Sequence, residues 1–335
     1  MNGMTALEIK ELNKKALMDI PGVVGVGMSR GSGERINIYV ESMSSDILGR
    51  IPQTLDGFPV TVINAGRIVA LPLLSSQIPK ALMEEREQKM RPSLCGISIG
   101  NMSITAGTQG AIFRDNTTGK RVILSNAHVL TPDPSKGSAD ETRIVQPGVA
   151  DGGTEADIIA NLTRYKTIST LFPNKADCAI ATPLNDADIS DEIMEIGTPV
   201  GISTAEFGQD VQKSGRTTGL NSDTIIDTSA DVNVGYSGGW EATFTDCYVT
   251  GHMADGGDSG SALLDMNNNI VGLLFAGSAN LTVHVKIQNV MDALNISLTG
   301  EGPAPPPSPQ LAGMGWLALG IGGAYLLNKL FGRKK

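Results

Sequence analysis

Residues 254–264 read ADGGDSGSALL, a stretch in which three glycines, two aspartates and two serines precede an apolar run. These residue types are ordinary in tight turns, which is the simplest interpretation. They also suit a nucleophile loop, because glycine lets backbone N–H groups crowd around a developing oxyanion. Ser259 would then be the nucleophile. The loop alone does not decide between the two interpretations, so a base and an orienting acid must be sought elsewhere in the chain.

Composition limits the class of protein. The chain has 335 residues, of which 41% are hydrophobic and 18% charged, as expected of a globular core. Its 40 glycines and few aromatic residues favour a turn-rich fold over a helical bundle. The net charge of −9 gives no electrostatic reason to expect nucleic acid as a partner. The three cysteines, Cys95, Cys178 and Cys247, lack CxxC or zinc-finger spacing. Neither a disulfide framework nor a metal or cofactor is predicted.

The N-terminal part of the chain mixes helical and strand patterns. Residues 5–20 have apolar side chains at helical spacing, and the pattern ends at Pro21-Gly22. Two strand-like runs separated by residues 31–33 predict a hairpin, and residues 44–51 predict a short helix. We therefore expect a small α+β domain over residues 1–78. A charged, helical linker is expected over residues 79–92.

Short β-rich runs between turn clusters fill residues 93–296, which predicts a mainly β barrel or sandwich. One closing helix is expected within residues 286–298.

The C-terminal end carries a different pattern. Residues 301–310 are proline-rich and predict an extended linker. The uncharged residues 311–327 would span about 26 Å as a helix, close to the ~30 Å of a hydrocarbon core. A single membrane helix is predicted over residues 311–331. The terminal lysines and arginine favour a cytoplasmic C-terminus, yet no secretory signal is recognised at the N-terminus, so the side of the membrane stays open.

Two further motifs supply the missing catalytic groups. RVILSNAHVL places His128 at the end of an apolar strand, and NKADCAIATPL places Asp177 at the start of another. A lone histidine or aspartate in such a position is usually structural. The order His128, Asp177, Ser259 is much less expected by chance, because the chain has only three histidines.

SNAHVL, ADCAIA and GGDSGSAL resemble the three active-site motifs of trypsin-like serine peptidases, in that family's order. VQKSGRTTGL, residues 211–220, resembles a strand of the small bacterial members of the α-lytic protease and streptogrisin type. The similarity covers residues 93–296, within an expected peptidase domain of residues 93–300. It implies a chymotrypsin-like fold of two antiparallel β-barrels, with protein or peptide as the substrate.

The resemblance also implies roles for individual residues. Ser259 would attack the acyl carbon, His128 would transfer the proton, and Asp177 would orient the imidazole. The N–H groups of Gly257 and Ser259 would form the oxyanion hole.

Asp258 and Arg216 are expected to form an ion pair that supports the oxyanion loop, as an internal arginine does in the bacterial relatives. Two residues depart from the family pattern. Asn126 precedes Ala-His, and Ser261 stands where GDSGG has its final glycine.

Met253 matches the base of the family's specificity pocket, and it gives no support for a preference for Lys or Arg. Phe275, Ala276 and Gly277 resemble the strand that pairs with the substrate backbone. His284 matches a position where some relatives bind an acidic side chain, although a structural role is the commoner one for such a histidine.

An α/β-hydrolase is excluded, because its elbow needs glycine at position 261 and its triad runs in a different order. A catalytically silent protein that keeps the peptidase fold stays open as an alternative. The N-terminal domain is expected to be either a pro-region or a permanent accessory domain.

Overall fold

The computed structural model describes residues 4–31, 33–71 and 85–299. Residues 79–84 of the predicted linker, the proline-rich linker and the predicted membrane helix lie outside these ranges. Within the described residues, no helix is long and apolar enough to cross a membrane.

Helices are few and short in the described ranges. The α-helices are α1 Ala6–Met18, α2 Ser45–Leu48, α3 Ala127–Leu130 and α4 Ile287–Leu294. Single 3₁₀ turns lie at Glu85–Glu87, Val149–Asp151, Glu155–Asp157 and Asp186–Asp188.

Strands make up most of the regular structure, so the chain is mainly β, as predicted. The first part of the chain contains β1 Val23–Ser29, β2 Arg35–Val40, β3 Thr54–Leu55, β4 Phe58–Asn64 and β5 Val69–Ala70. The next strands are β6 Ser93–Cys95, β7 Ser98–Asn101, β8 Gly107–Thr108, β9 Ala111–Asp115, β10 Arg121–Ser125, β11 Arg143–Val145, β12 Ile158–Tyr165, β13 Ala179–Pro183 and β14 Ile189–Ile193. The last are β15 Gly201–Ile202, β16 Asp210–Gly215, β17 Gly219–Gly235, β18 Glu241–Gly251, β19 Ala262–Asp265, β20 Asn269–Gly277, β21 Leu281–Lys286 and β22 Ile296–Leu298.

Two large sheets organise the described strands. One has the order β22-β9-β10-β13-β12-β11-β7-β8 and carries the segments around His128 and Asp177. The other runs β16-β19-β20-β21-β18-β17-β1-β2-β4-β3 and carries the strands on both sides of the Ser259 loop. Apolar side chains of both sheets share one buried cluster, which includes Phe113, Ile180, Phe244 and Phe275. The Ser259 loop and the His128 segment are therefore packed on a common core.

The N-terminal elements follow the predicted pattern. Helix α1 begins with a capping box, in which Thr5 Oγ1 accepts the Glu8 N–H at 3.3 Å and the Glu8 carboxylate accepts the Thr5 N–H at 2.8 Å. Strands β1 and β2 form the predicted antiparallel hairpin, α2 lies within residues 44–51, and α4 is the predicted closing helix. The apolar face of α1 packs on this hairpin in a cluster that includes Ile9 and Val26.

Strand pairing joins the N-terminal elements to the rest of the fold. β1 pairs antiparallel with β17 at Gly25↔Val232 and Val26↔Asp231, so the two regions predicted as separate domains share one sheet. Residues 4–299 accordingly belong to one compact unit.

The described end of the predicted helical linker differs from the prediction, because only Glu85–Glu87 forms a turn of 3₁₀ helix. Tertiary contacts hold this segment: Arg86 binds the oxygen of Gly215 at 3.0 Å and Glu195 at 2.6 Å. The three cysteines are buried and unpaired.

Candidate active site

His128 lies in the short helix α3, directly after β10, where the chain turns away from the sheet. Its Nδ1 lies 2.6 Å from Oδ2 of Asp177, and both side chains are almost completely buried. The structure thus brings together two of the predicted catalytic residues. With Nδ1 donating to the carboxylate, Nε2 is the nitrogen left to accept a proton.

Asp177 carries a buried carboxylate, which needs several hydrogen-bond donors to be tolerated. Its Oδ1 accepts from the main-chain N–H groups of Ala127 at 2.7 Å and His128 at 3.2 Å. Its Oδ2 accepts from the Tyr236 hydroxyl at 2.8 Å as well as from the imidazole. The side chain of Asn126 donates to the main-chain oxygen of Asp177 at 2.7 Å. Asn126 therefore locks the two segments together, which accounts for one of the departures from the family pattern.

Tyr236 is a residue that sequence reasoning missed. It lies beyond the end of β17, stacks on Trp240 with ring centroids 4.3 Å apart, and meets His128 edge-on at 5.9 Å. Burial, and then the charge of Asp177, raise the pKa of Tyr236 well above its usual value. The hydroxyl therefore stays protonated and remains a donor to the carboxylate.

The Ser259 loop packs directly against the segment that carries His128. The main-chain oxygen of Ser259 accepts the Thr108 N–H at 2.8 Å. A Cβ added at Gly260 would lie 2.1 Å from Oγ of Ser125, three residues before His128. Only glycine fits such a contact, and Gly260 also has a φ of 96°.

The hydroxyl of Ser259 is buried and donates to the main-chain oxygen of Phe275 at 3.3 Å. Nε2 of His128 is buried as well, and it has no hydrogen-bond partner in the part of the chain that the structure describes. The hydrogen bond between nucleophile and base is thus not formed in this arrangement.

The loop geometry explains Ser261. Its side chain is buried, and its Oγ donates to the main-chain oxygen of Asp258 at 2.6 Å, which closes the turn around Ser259. Gly257 has a φ of 101°, in the left-handed region that favours glycine.

Asp258 is fully buried and receives a set of hydrogen bonds from the connection between β16 and β17. Its carboxylate accepts from the N–H groups of Thr217 at 2.8 Å and Thr218 at 3.1 Å, and from the Thr218 hydroxyl at 2.7 Å. The cation beside it is Lys213, at 3.4 Å, whose side chain is also fully buried. Burial lowers the pKa of Lys213, although the Asp258 charge opposes that effect.

Arg216 does not form the predicted ion pair with Asp258 among the described residues. Its guanidinium binds both carboxylate oxygens of Asp151 and lies 2.8 Å from the Glu87 carboxylate. Burial opposes its charge, but the bonds to Asp151 and the charge of Glu87 raise the pKa of Arg216 on balance. The prediction was wrong because Lys213, on the inner face of β16, already supplies the cation at Asp258.

The predicted pocket residues are all buried, but they do not all belong to the same cluster of side chains. Met253 packs in a cluster of the second sheet with Tyr248 and Leu263, whereas its neighbour Ala254 packs with Leu71 and Leu274. Phe275 supplies the carbonyl that Ser259 contacts.

His284 is fully buried, with Nε2 at 3.1 Å from the Thr250 hydroxyl. Burial, aided by the charge of Lys213, lowers the pKa of His284 to about 3. An imidazole in that state is neutral, so it offers no charge to an acidic side chain.

A segment of the N-terminal region enters the site, which the sequence did not indicate. β5 pairs antiparallel with β20 at Ala70↔Ala276 and Val69↔Gly277, along the strand predicted to bind substrate backbone. The Gly257 N–H, a predicted oxyanion donor, donates to the main-chain oxygen of Leu71 at 3.1 Å.

Different signals would have been needed to find the residues that were missed. Lys213 lies on the same face of β16 as the buried Val211, so its position in the strand alternation indicates an inward cation. Tyr236 and Leu71 carry no local signal, because their contacts with the site come from distant parts of the chain.

No protein-family model and no curated protein matches the chain. It is similar to the solved structure of a glutamic acid specific serine protease, with a TM-score of 0.47 and 18% identity over 62% of this chain and 100% of that one. It is also similar to Thermobifida fusca protease A, with a TM-score of 0.46 and 18% identity over 61% and 97% of the two chains. Cellulomonas bogoriensis chymotrypsin is similar at a TM-score of 0.45 and 19% identity, with the same shares covered.

Proposed function

We propose that the chain is a serine endopeptidase that uses His128, Asp177 and Ser259 as its catalytic triad. The observation that carries the proposal is the buried pair of His128 and Asp177 at 2.6 Å, packed against the Ser259 loop. The main-chain N–H groups of Ala127 and His128 also hold the carboxylate, so the imidazole is fixed with Nε2 available. A structural histidine on an apolar strand would not need such a set of bonds.

In the proposed reaction, Ser259 Oγ attacks the carbonyl carbon of the scissile peptide while its proton passes to Nε2 of His128. The Gly257 and Ser259 N–H groups receive the oxyanion, which is typically worth a few kcal/mol per donor. The imidazolium then gives its proton to the leaving nitrogen as the C–N bond breaks. Water repeats the sequence on the acyl-enzyme and releases a carboxylic acid. The reaction requires the Ser259 hydroxyl to leave the Phe275 oxygen and turn to Nε2.

Labelling by a fluorophosphonate tests this proposal. We expect the full-length protein to form a covalent adduct at Ser259, and the Ser259→Ala variant to form none. Ser203→Ala is the matched control, because it removes a serine hydroxyl outside the Ser259 loop, one that donates only to the adjacent main-chain oxygen of Thr204 at 3.2 Å. A folded wild-type protein that stays unlabelled would contradict the proposal.

A catalytically silent protein with the same fold is the second candidate. The Ser259 hydroxyl bonded to Phe275 and the unpartnered Nε2 of His128 favour it. The labelling experiment separates the two, since a silent protein would not label under any condition that keeps it folded.

We further propose that residues 311–331 anchor the peptidase to a membrane, on the basis of the uncharged run of residues 311–327. Membrane fractionation of cells that produce the full chain or a chain ending at residue 300 tests this. The full chain is expected in the membrane fraction and the shortened chain outside it. Recovery of both in the same fraction would contradict the anchor, and protease protection of intact cells would identify the side.

A further inference from the structure

The substrate-binding edge of β20 is occupied by the chain itself. Val69 and Ala70 extend the sheet by pairing antiparallel with Gly277 and Ala276. Pairing of this kind depends on main-chain hydrogen bonds, so any extended peptide of suitable side chains can replace it. Ala70 is 2% exposed and belongs to the main buried cluster, so the segment is packed into the fold and does not merely lie on its surface.

Leu71 occupies the position next to the nucleophile loop. Its main-chain oxygen accepts the Gly257 N–H at 3.1 Å, the bond that the oxyanion of a substrate would use. Its side chain is 9% exposed and packs with Ala254 and Leu274. The Cδ1 atom of Leu71 lies 3.3 Å from an ideal Cβ at Gly277, so Leu71 packs tightly against this part of β20.

Resting on the proposed peptidase activity, we propose that residues 69–71 are an internal ligand of the cleft, with Leu71 in the specificity pocket. The pocket meant here is the apolar one that Ala254 and Leu274 line around the Leu71 side chain, and it therefore selects extended apolar peptides that are cleaved after leucine. Because the ligand is tethered, its effective concentration is about millimolar, and an external peptide must compete with it.

The surroundings of Leu71 exclude charged side chains from the same pocket. Ala254 and Leu274 offer no carboxylate to a lysine or arginine, and no cation to an aspartate or glutamate. His284 is neutral and engaged with Thr250, so it does not supply that cation either. A charge placed in such a pocket would be buried without a partner.

Peptide p-nitroanilides of the form succinyl-Val-Ala-Xaa test the selectivity, with leucine, arginine or glutamate as Xaa. We expect kcat/KM for the leucine substrate to exceed the other two by at least about tenfold, from the burial of one apolar side chain. Preference for the arginine or the glutamate substrate would overturn the proposal.

The variant Leu71→Asp tests the occupancy of the cleft. It places a charge in the apolar pocket and expels the segment, so fluorophosphonate labelling of Ser259 should become at least about tenfold faster than in the wild type. Leu12→Asp is the matched control, because Leu12 is 69% exposed on α1 and the same change there should leave the labelling rate unchanged. Equal labelling rates in the wild type and a folded Leu71→Asp variant would overturn the occupancy.

Failure of this inference can be told apart from failure of the proposed function. If all folded variants label at Ser259 but show no leucine preference, only the assignment of Leu71 falls. If no folded variant labels or hydrolyses any substrate, the peptidase itself is wrong. Should Leu71→Asp fail to fold, as judged by circular dichroism, the substrate series on the wild-type protein still decides the selectivity.

Discussion

The hydrogen-bond donors of the Asp177 carboxylate come partly from a recognisable sequence motif and partly from a distant residue. Two of its donors, the N–H groups of Ala127 and His128, come from the SNAHVL stretch, so the pairing of that stretch with ADCAIA could be predicted. Its side-chain donors are the His128 imidazole and Tyr236, which lies far along the chain beyond the end of a long strand. Nothing in the residues around Tyr236 marks it, because its role exists only once the two sheets are packed together.

Tyr236→Phe is therefore expected to weaken catalysis. The change keeps the ring, which stacks on Trp240, but removes one of the hydrogen bonds to a buried carboxylate. Such a bond is worth about 1.5–3 kcal/mol. If that energy holds His128 in its productive orientation, kcat/KM falls about tenfold to a hundredfold. Steady-state kinetics on the leucine substrate measures the loss, with the decrease expected in kcat and not in KM.

Tyr248→Phe is the matched control for this prediction. It also removes a buried tyrosine hydroxyl. This hydroxyl accepts the Ala205 N–H at 3.0 Å and makes no hydrogen bond to Asp177. It should lower stability without a comparable loss of kcat. An equal loss of kcat in both variants would mean that Tyr236 acts only through the fold.

At the scale of the elements, local patterns predicted well and long-range pairings did not. The hairpin of β1 and β2, the helices α1, α2 and α4, and the mainly β character of residues 93–296 follow from side-chain spacing and turn residues, which act between neighbours in sequence. The charged residues 85–92 also suggested a helix, yet Arg86 is held by Gly215 and Glu195, and these contacts override local propensity. Tertiary contacts also explain the wrong prediction for Arg216. Lys213 and Arg216 are close in sequence, and only the packing of the folded chain decides which of them lies beside Asp258.

At the scale of the whole molecule, the N-terminal elements are part of the same sheet as the catalytic strands. β1 pairs with β17, and Lys10 of α1 makes a buried ion pair with Asp231 at 2.8 Å. Asp227, on β17, lies at this junction and is completely buried. It accepts the side-chain N–H of Asn37 at 3.0 Å and the hydroxyl of Tyr39 at 2.8 Å, both from β2. Side chains of the N-terminal region therefore hold a buried aspartate of the second sheet.

Titration of Asp227 should therefore appear in the stability of the whole fold. Burial raises the pKa of Asp227 above its ordinary value of 3.8, although the bonds from Ser229, Asn37 and Tyr39 oppose that rise. Between pH 3.8 and the raised pKa, the folded state holds more protons than the unfolded state, so stability falls as pH rises through that window.

Asp227→Asn carries no titrating proton at this position, so its stability lacks this dependence on pH. The variant should be less stable than the wild type by about 1–3 kcal/mol near pH 4, through poorer acceptance of the two donors, and the gap should narrow towards pH 7. Urea unfolding of both proteins at several pH values measures the difference in their free energies of unfolding. Asp292→Asn, at an exposed position, is the control. A gap in unfolding free energy that stays constant or widens with pH would show that Asp227 is not held as the buried acid of this junction.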